Sequence, residues 1–63
     1  MYKVTTLSEY GHRNGIEYST LTEANYYFNS RQTKDRVMVC LFENDTCIKI
    51  AEKIANKWYV SVR

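Results

Sequence analysis

The chain has 63 residues, 44% of them apolar and 25% charged, with a net charge of +2. That length excludes a second domain and a deep, water-excluding cleft, so residues 1–63 form one small body. The apolar share excludes a disordered chain. The thin basic excess lacks the dense patch of a dedicated nucleic-acid binder.

A body of this size barely offsets its ordering entropy by burial, and such chains often gain the missing burial from a partner or a second copy. Six tyrosines suit partly exposed contact surfaces, because a phenol joins a broad apolar face to a polar tip. No run approaches the roughly 20 apolar residues of a membrane span. Nor does the start, Met1-Tyr2-Lys3-Val4-Thr5-Thr6, read as a secretory leader. Cys40 and Cys47 are too few for a disulfide framework. These features predict a cytoplasmic chain with no membrane association.

Tyr2 to Leu7 mixes β-branched and aromatic residues and reads as a first strand. Its two alternating sets, Tyr2-Val4-Thr6 and Lys3-Thr5-Leu7, compete equally for the core. Glu9 to Gly15 holds both glycines, and its Asn14-Gly15 pair favours a tight turn. Ile16 to Ser19 returns as a second strand.

Thr20 and Glu23 have capping-box spacing, which predicts a helix over residues 21–31. Leu21, Ala24 and Phe28 share its inner face and Tyr27 flanks them. Tyr26 points outward. Arg31 stands near the C-terminal end, where the helix dipole favours a cation.

Residues 37–42 and 47–53 alternate as strands. A loop at residues 43–46 sets Phe42 against Cys47 and Leu41 against Ile48. A three-residue loop at 55–57 sets Ile54 against Trp58. Val37, Val39, Leu41, Ile48, Ile50, Val60 and Val62 then occupy one side. The predicted fold is α+β: a small, mostly antiparallel sheet with one helix packed on one face, in the order β-β-α-β-β-β. A rival makes residues 46–57 a second helix with Cys47, Ile48, Ala51, Ile54, Ala55 and Trp58 as its stripe, giving β-β-α-β-α-β. Two features favour the rival: Glu52 falls on the core side of the meander, and the 55–57 loop has no glycine.

Catalytic chemistry finds little support. His12 sits in a Gly-flanked loop with no group to orient it. The spacing of Cys40 and Cys47 matches no zinc site. Glu43 and Asp45 share a turn too poor in ligands for calcium. No phosphate loop or nucleophile elbow occurs. The expectation is a non-enzymatic chain without metal or cofactor.

Surfaces are more informative. Opposite the core, Met38, Cys40, Phe42, Cys47 and Ala51 are expected on one sheet face with Lys49, Lys53 and Tyr59. So apolar a face suits a protein partner or a homodimer. The expected partner contacts are Tyr26 on the helix, with Met38, Phe42 and Tyr59. A small inhibitor or adaptor, of the kind mobile elements encode, acts this way. One alternative is a nucleic-acid surface built on Lys49, Lys53 and Tyr59 and extended by Arg31, Lys34 and Arg36. Another is a small structural domain whose N-terminal hairpin covers that face, leaving no separable activity.

Overall fold

A computed structural model describes all of residues 1–63. Five strands and one helix follow one another as β1 (Tyr2–Ser8), β2 (Arg13–Tyr18), α1 (Leu21–Ser30), β3 (Arg36–Glu43), β4 (Thr46–Ile54) and β5 (Lys57–Val62). They form one antiparallel sheet in the order β2-β1-β3-β4-β5. Both β2 and β3 pair with β1, one on each side, so they run parallel to each other. Joining them requires a crossover, and α1 provides it. The α+β class and the β-β-α-β-β-β order therefore hold. Residues 46–57 do not form a second helix: they are a strand, a two-residue turn and the first residue of the next strand.

Thr20 begins α1 as the sequence predicts, its Oγ1 accepting the backbone N–H of Glu23 at 3.2 Å. The reciprocal half of the capping box differs. Glu23 Oε1 accepts from the hydroxyls of Thr20 at 3.2 Å and Ser19 at 3.5 Å, not from the Thr20 backbone. The helix ends at Ser30, and Arg31 caps it. Ala24 and Phe28 are fully buried, whereas Leu21 at the first turn is exposed.

The core is small. Val4, Ala24, Phe28, Val39, Leu41 and Ala51 are its only buried residues, with Tyr2, Tyr18, Ile48 and Trp58 packed at its margin. Burial of Val4 decides the first strand: Tyr2, Val4 and Thr6 face the helix, and Lys3, Thr5 and Leu7 face away. The helix backbone lies against β1, β2 and β3, the Lys49 side chain links it to β4, and β5 lies beyond it. Val60 and Val62 consequently stay 50% and 73% exposed on the helix side.

Three turns depart from expectation. Asn14 and Gly15 belong to β2, and the first hairpin turns at residues 9–12. Ser8 Oγ closes that turn by accepting the N–H groups of Tyr10 at 3.2 Å and His12 at 3.0 Å. The β3–β4 turn is Asn44-Asp45, with Glu43 already paired to Thr46. The β4–β5 turn is Ala55-Asn56 rather than three residues, so Ile54 faces Lys57 and Trp58 faces Lys53. Ala55 and Asn56 take φ values of 53° and 65°, the pair of positive values that matches a tight turn to the twist of its strands.

The register of β4 is the largest correction. Phe42 faces Cys47 as expected, but Leu41 faces Lys49, leaving Ile48 as the extra residue of a β-bulge. From Lys49 onward, every β4 side chain lies on the face opposite to the predicted one. Ala51 enters the core, and Ile50 leaves it to face the same way as Cys40. Glu52 moves to the open face beside Met38, which removes the objection that a buried carboxylate raised against the meander.

Candidate protein interface

The sheet face turned away from α1 is covered by no other element. Strand pairing arranges it in three rows across the sheet. The first runs Arg13, Leu7, Met38, Glu52 and Tyr59. The middle row is Gly15, Thr5, Cys40, Ile50 and Ser61, and the last is Glu17, Lys3, Phe42 and Cys47. Leu7, Met38, Cys40, Phe42, Cys47 and Ile50 are all half-buried, sheltered only by their neighbours in the sheet. The N-terminal hairpin does not fold over them, because β1 and β2 lie within the sheet itself.

A shallow hollow of about 450 Å³ opens on this face between β2, β1 and β3, with Leu7, Met38, Cys40 and Phe42 in its lining. Gly15 deepens it by having no side chain. The Lys3 chain lies over that gap, and a Cβ at Gly15 would come within 2.8 Å of Lys3 Cε. At the centre, burial pushes the Cys40 thiol above its ordinary pKa. A hydrogen bond with Thr5 opposes this, while neighbouring Cys47 adds to it. Both cysteines are free thiols, so this centre is neutral and weakly polar.

Met38, Phe42 and Tyr59 therefore share the open face, as the sequence predicts, and Tyr59 is 54% exposed. Tyr26 does not join them. It lies on the helix, on the other side of the sheet, 67% exposed and edge-on to Tyr27 at 5.1 Å. Leu7 and Ile50 complete the apolar centre. Alternation along β1 offers no reason to choose Leu7 over Val4, and the predicted register places Ile50 in the core.

The basic residues are redistributed by the bulge. Lys49 and Lys53 sit on the helix side and do not share a face with Tyr59. Lys49 Nζ donates to Asn25 Oδ1 at 3.0 Å and lies 5.6 Å from the centre of the Phe28 ring. Lys53 Nζ donates to the Lys34 carbonyl at 2.6 Å, tying β4 to the loop before β3. The expected continuous strip of Lys49, Lys53 and Tyr59 is thus divided by the sheet. Arg31, Lys34 and Arg36 also stand on or beside the helix side, with Lys34 exposed and both arginines half-buried.

His12 is exposed in the first turn. No group of three or more His, Cys, Asp or Glu side chains is placed to hold a metal ion. No helix is long and apolar enough to cross a membrane. No family model, curated protein or solved structure matches the chain.

Proposed function

We propose that this chain is a non-enzymatic association module whose contact surface is the open face of the sheet, and that a second copy of the chain is its occupant. The observation that carries the reading is the imbalance of burial. Six residues are buried behind the helix, while six apolar or thiol side chains stand together on a face that nothing covers. Closing that face against another sheet would supply burial that so small a core lacks.

Charge placement favours a second copy. On the open face Arg13 stands at one end of β2 and Glu17 at the other, both exposed. A twofold axis lying along Thr5 and Cys40 exchanges the two ends. Arg13 then meets Glu17 of the second copy, and Met38 meets its Phe42, which makes the surface self-complementary. The molecule's longer dimensions, 31 and 21 Å, frame a face of the size stable interfaces bury per partner, about 600–1,000 Å².

Sedimentation of four proteins across a concentration series tests this. The wild type should be dimeric and Phe42→Glu monomeric, with helix and sheet content retained by circular dichroism. Arg13→Glu should weaken the dimer by setting two carboxylates together, and Arg13→Glu with Glu17→Arg should restore it. A wild type that stays monomeric at every concentration, or a double variant no better than the single, defeats the self-pairing. An inhibitor or adaptor would use the same surface, and Phe42→Glu should then abolish capture of that other protein.

A further inference from the structure

Behind the sheet, on the helix side, lies a second hollow that the proposed association does not use. Its volume is about 230 Å³, and Arg31, Arg36, Thr6, Asn14 and Tyr18 line it above an apolar floor of Val4 and Ile16. Two arginines, at the end of α1 and the start of β3, belong to that lining, and no carboxylate does.

Each arginine is held by neutral neighbours. The Arg31 guanidinium sits 5.2 Å from the centre of the Tyr27 ring, which is itself stacked on Tyr18 at 4.8 Å and 12°. Arg36 Nη1 donates to Thr33 Oγ1 at 3.0 Å. These contacts orient the side chains without neutralising them. Asn14 is similarly prepared, because its Oδ1 accepts the Gly15 N–H at 2.9 Å and its amide nitrogen remains available to donate. Thr6 contributes a hydroxyl from β1.

We infer that this hollow binds a small phosphomonoester dianion, held by Arg31 and Arg36 with Thr6 and Asn14 as additional donors. Planar guanidinium forks match phosphate oxygens two at a time, and two of them balance a dianion. Both arginines are half-buried, so screening by salt is weaker there than at a fully exposed cluster. The hollow offers far more room than one water molecule needs. Arg31 and Arg36 lie on the helix side, while Thr6, Asn14 and Gly15 also line the hollow of the open face.

Titration of the intact chain with inorganic phosphate, followed by backbone amide signals, tests the inference. Saturable shifts at Thr6, Asn14, Gly15 and Arg31 are expected, with sodium chloride and acetate at matched ionic strength leaving them in place. Arg31→Gln and Arg36→Gln should each weaken binding about tenfold, the usual loss of a hydrogen bond to a charged group. Arg36→Lys should keep part of the affinity, which separates charge loss from misfolding. Adenylate and O-phosphoserine form two further arms, and the tighter one identifies whether the phosphate comes from a nucleotide or a modified side chain. A response shared equally by all anions, or one that survives loss of either arginine, overturns the inference.

Discussion

Leu41 faces Lys49 across β3 and β4, while the next residue, Phe42, faces Cys47. Ile48 has no partner between them and packs its side chain at the margin of the core. Lys49 follows it onto the helix side, where its ammonium lies 5.6 Å from the centre of the Phe28 ring and donates to Asn25. A long aliphatic stem with a charged tip can serve as a core-edge residue in this way. One extra residue therefore decides which lysines belong to which face.

Deletion of Ile48 should leave the fold intact. The ladder then closes directly from Cys47 to Lys49, and every other β4 residue keeps its side. The cost is the lost Ile burial, about 1–3 kcal/mol, read as a lower urea midpoint. Nuclear Overhauser contacts between Lys49 and Phe28 should persist. Their replacement by contacts between Lys49 and Phe42 would show that the bulge is not what sets the register.

Ala55→Gly should stabilise the protein. Ala55 holds φ at 53°, a left-handed conformation that costs a residue with a Cβ roughly 1–2 kcal/mol. Glycine removes that cost at some expense in unfolded-chain entropy, for a net gain of about 0.5–1 kcal/mol. Thermal melting should rise by several degrees, at about 4–8 °C per kcal/mol for a domain of this size. The same change at buried Ala51 should lower it.

Stability should be lost at alkaline pH partly through Cys40. Its ordinary pKa is 9.0, and burial raises it in the folded chain. As pH climbs past 9.0 the unfolded thiol ionises first, so the contribution is complete below that pH and is lost as pH rises through the folded value. Cys40→Ala should flatten the early part of this decline in urea midpoints measured from pH 8 upward. Iodoacetamide at pH 8 should also label Cys40 more slowly in the folded chain than in urea. Equal labelling rates would contradict the burial of this thiol.

Much of the architecture is legible along the chain. Thr20 and Glu23 mark the helix start because an unpaired N–H needs a nearby oxygen, and that need is met within three residues. Alternation from Val37 onward identifies strands, since its period of two follows from backbone geometry alone. Register is less legible. Reading the β4–β5 turn one residue too long and missing the bulge at Ile48 are opposite errors, and they cancel at β5. Trp58, Val60 and Val62 do lie on the helix side, whereas β4 between the two errors was reversed.

Met38 and Phe42 could be grouped from sequence because they keep their side of β3 whichever register β4 adopts, and Tyr59 stays with them because the two errors cancel at β5. Tyr26 is separable from them in the sequence, since it belongs to the helix and the helix covers the other face of the sheet. Local preferences in the amino-acid order thus determined the element types and their succession, because caps and alternation act between near neighbours. Packing of distant segments decided the rest: that β1 lies between β2 and β3, that the helix backbone leaves β5 uncovered, and that Arg31 and Arg36 share a hollow with Thr6 and Asn14. Those outcomes depend on which surfaces fit together in three dimensions, and residues far apart along the chain jointly set that fit.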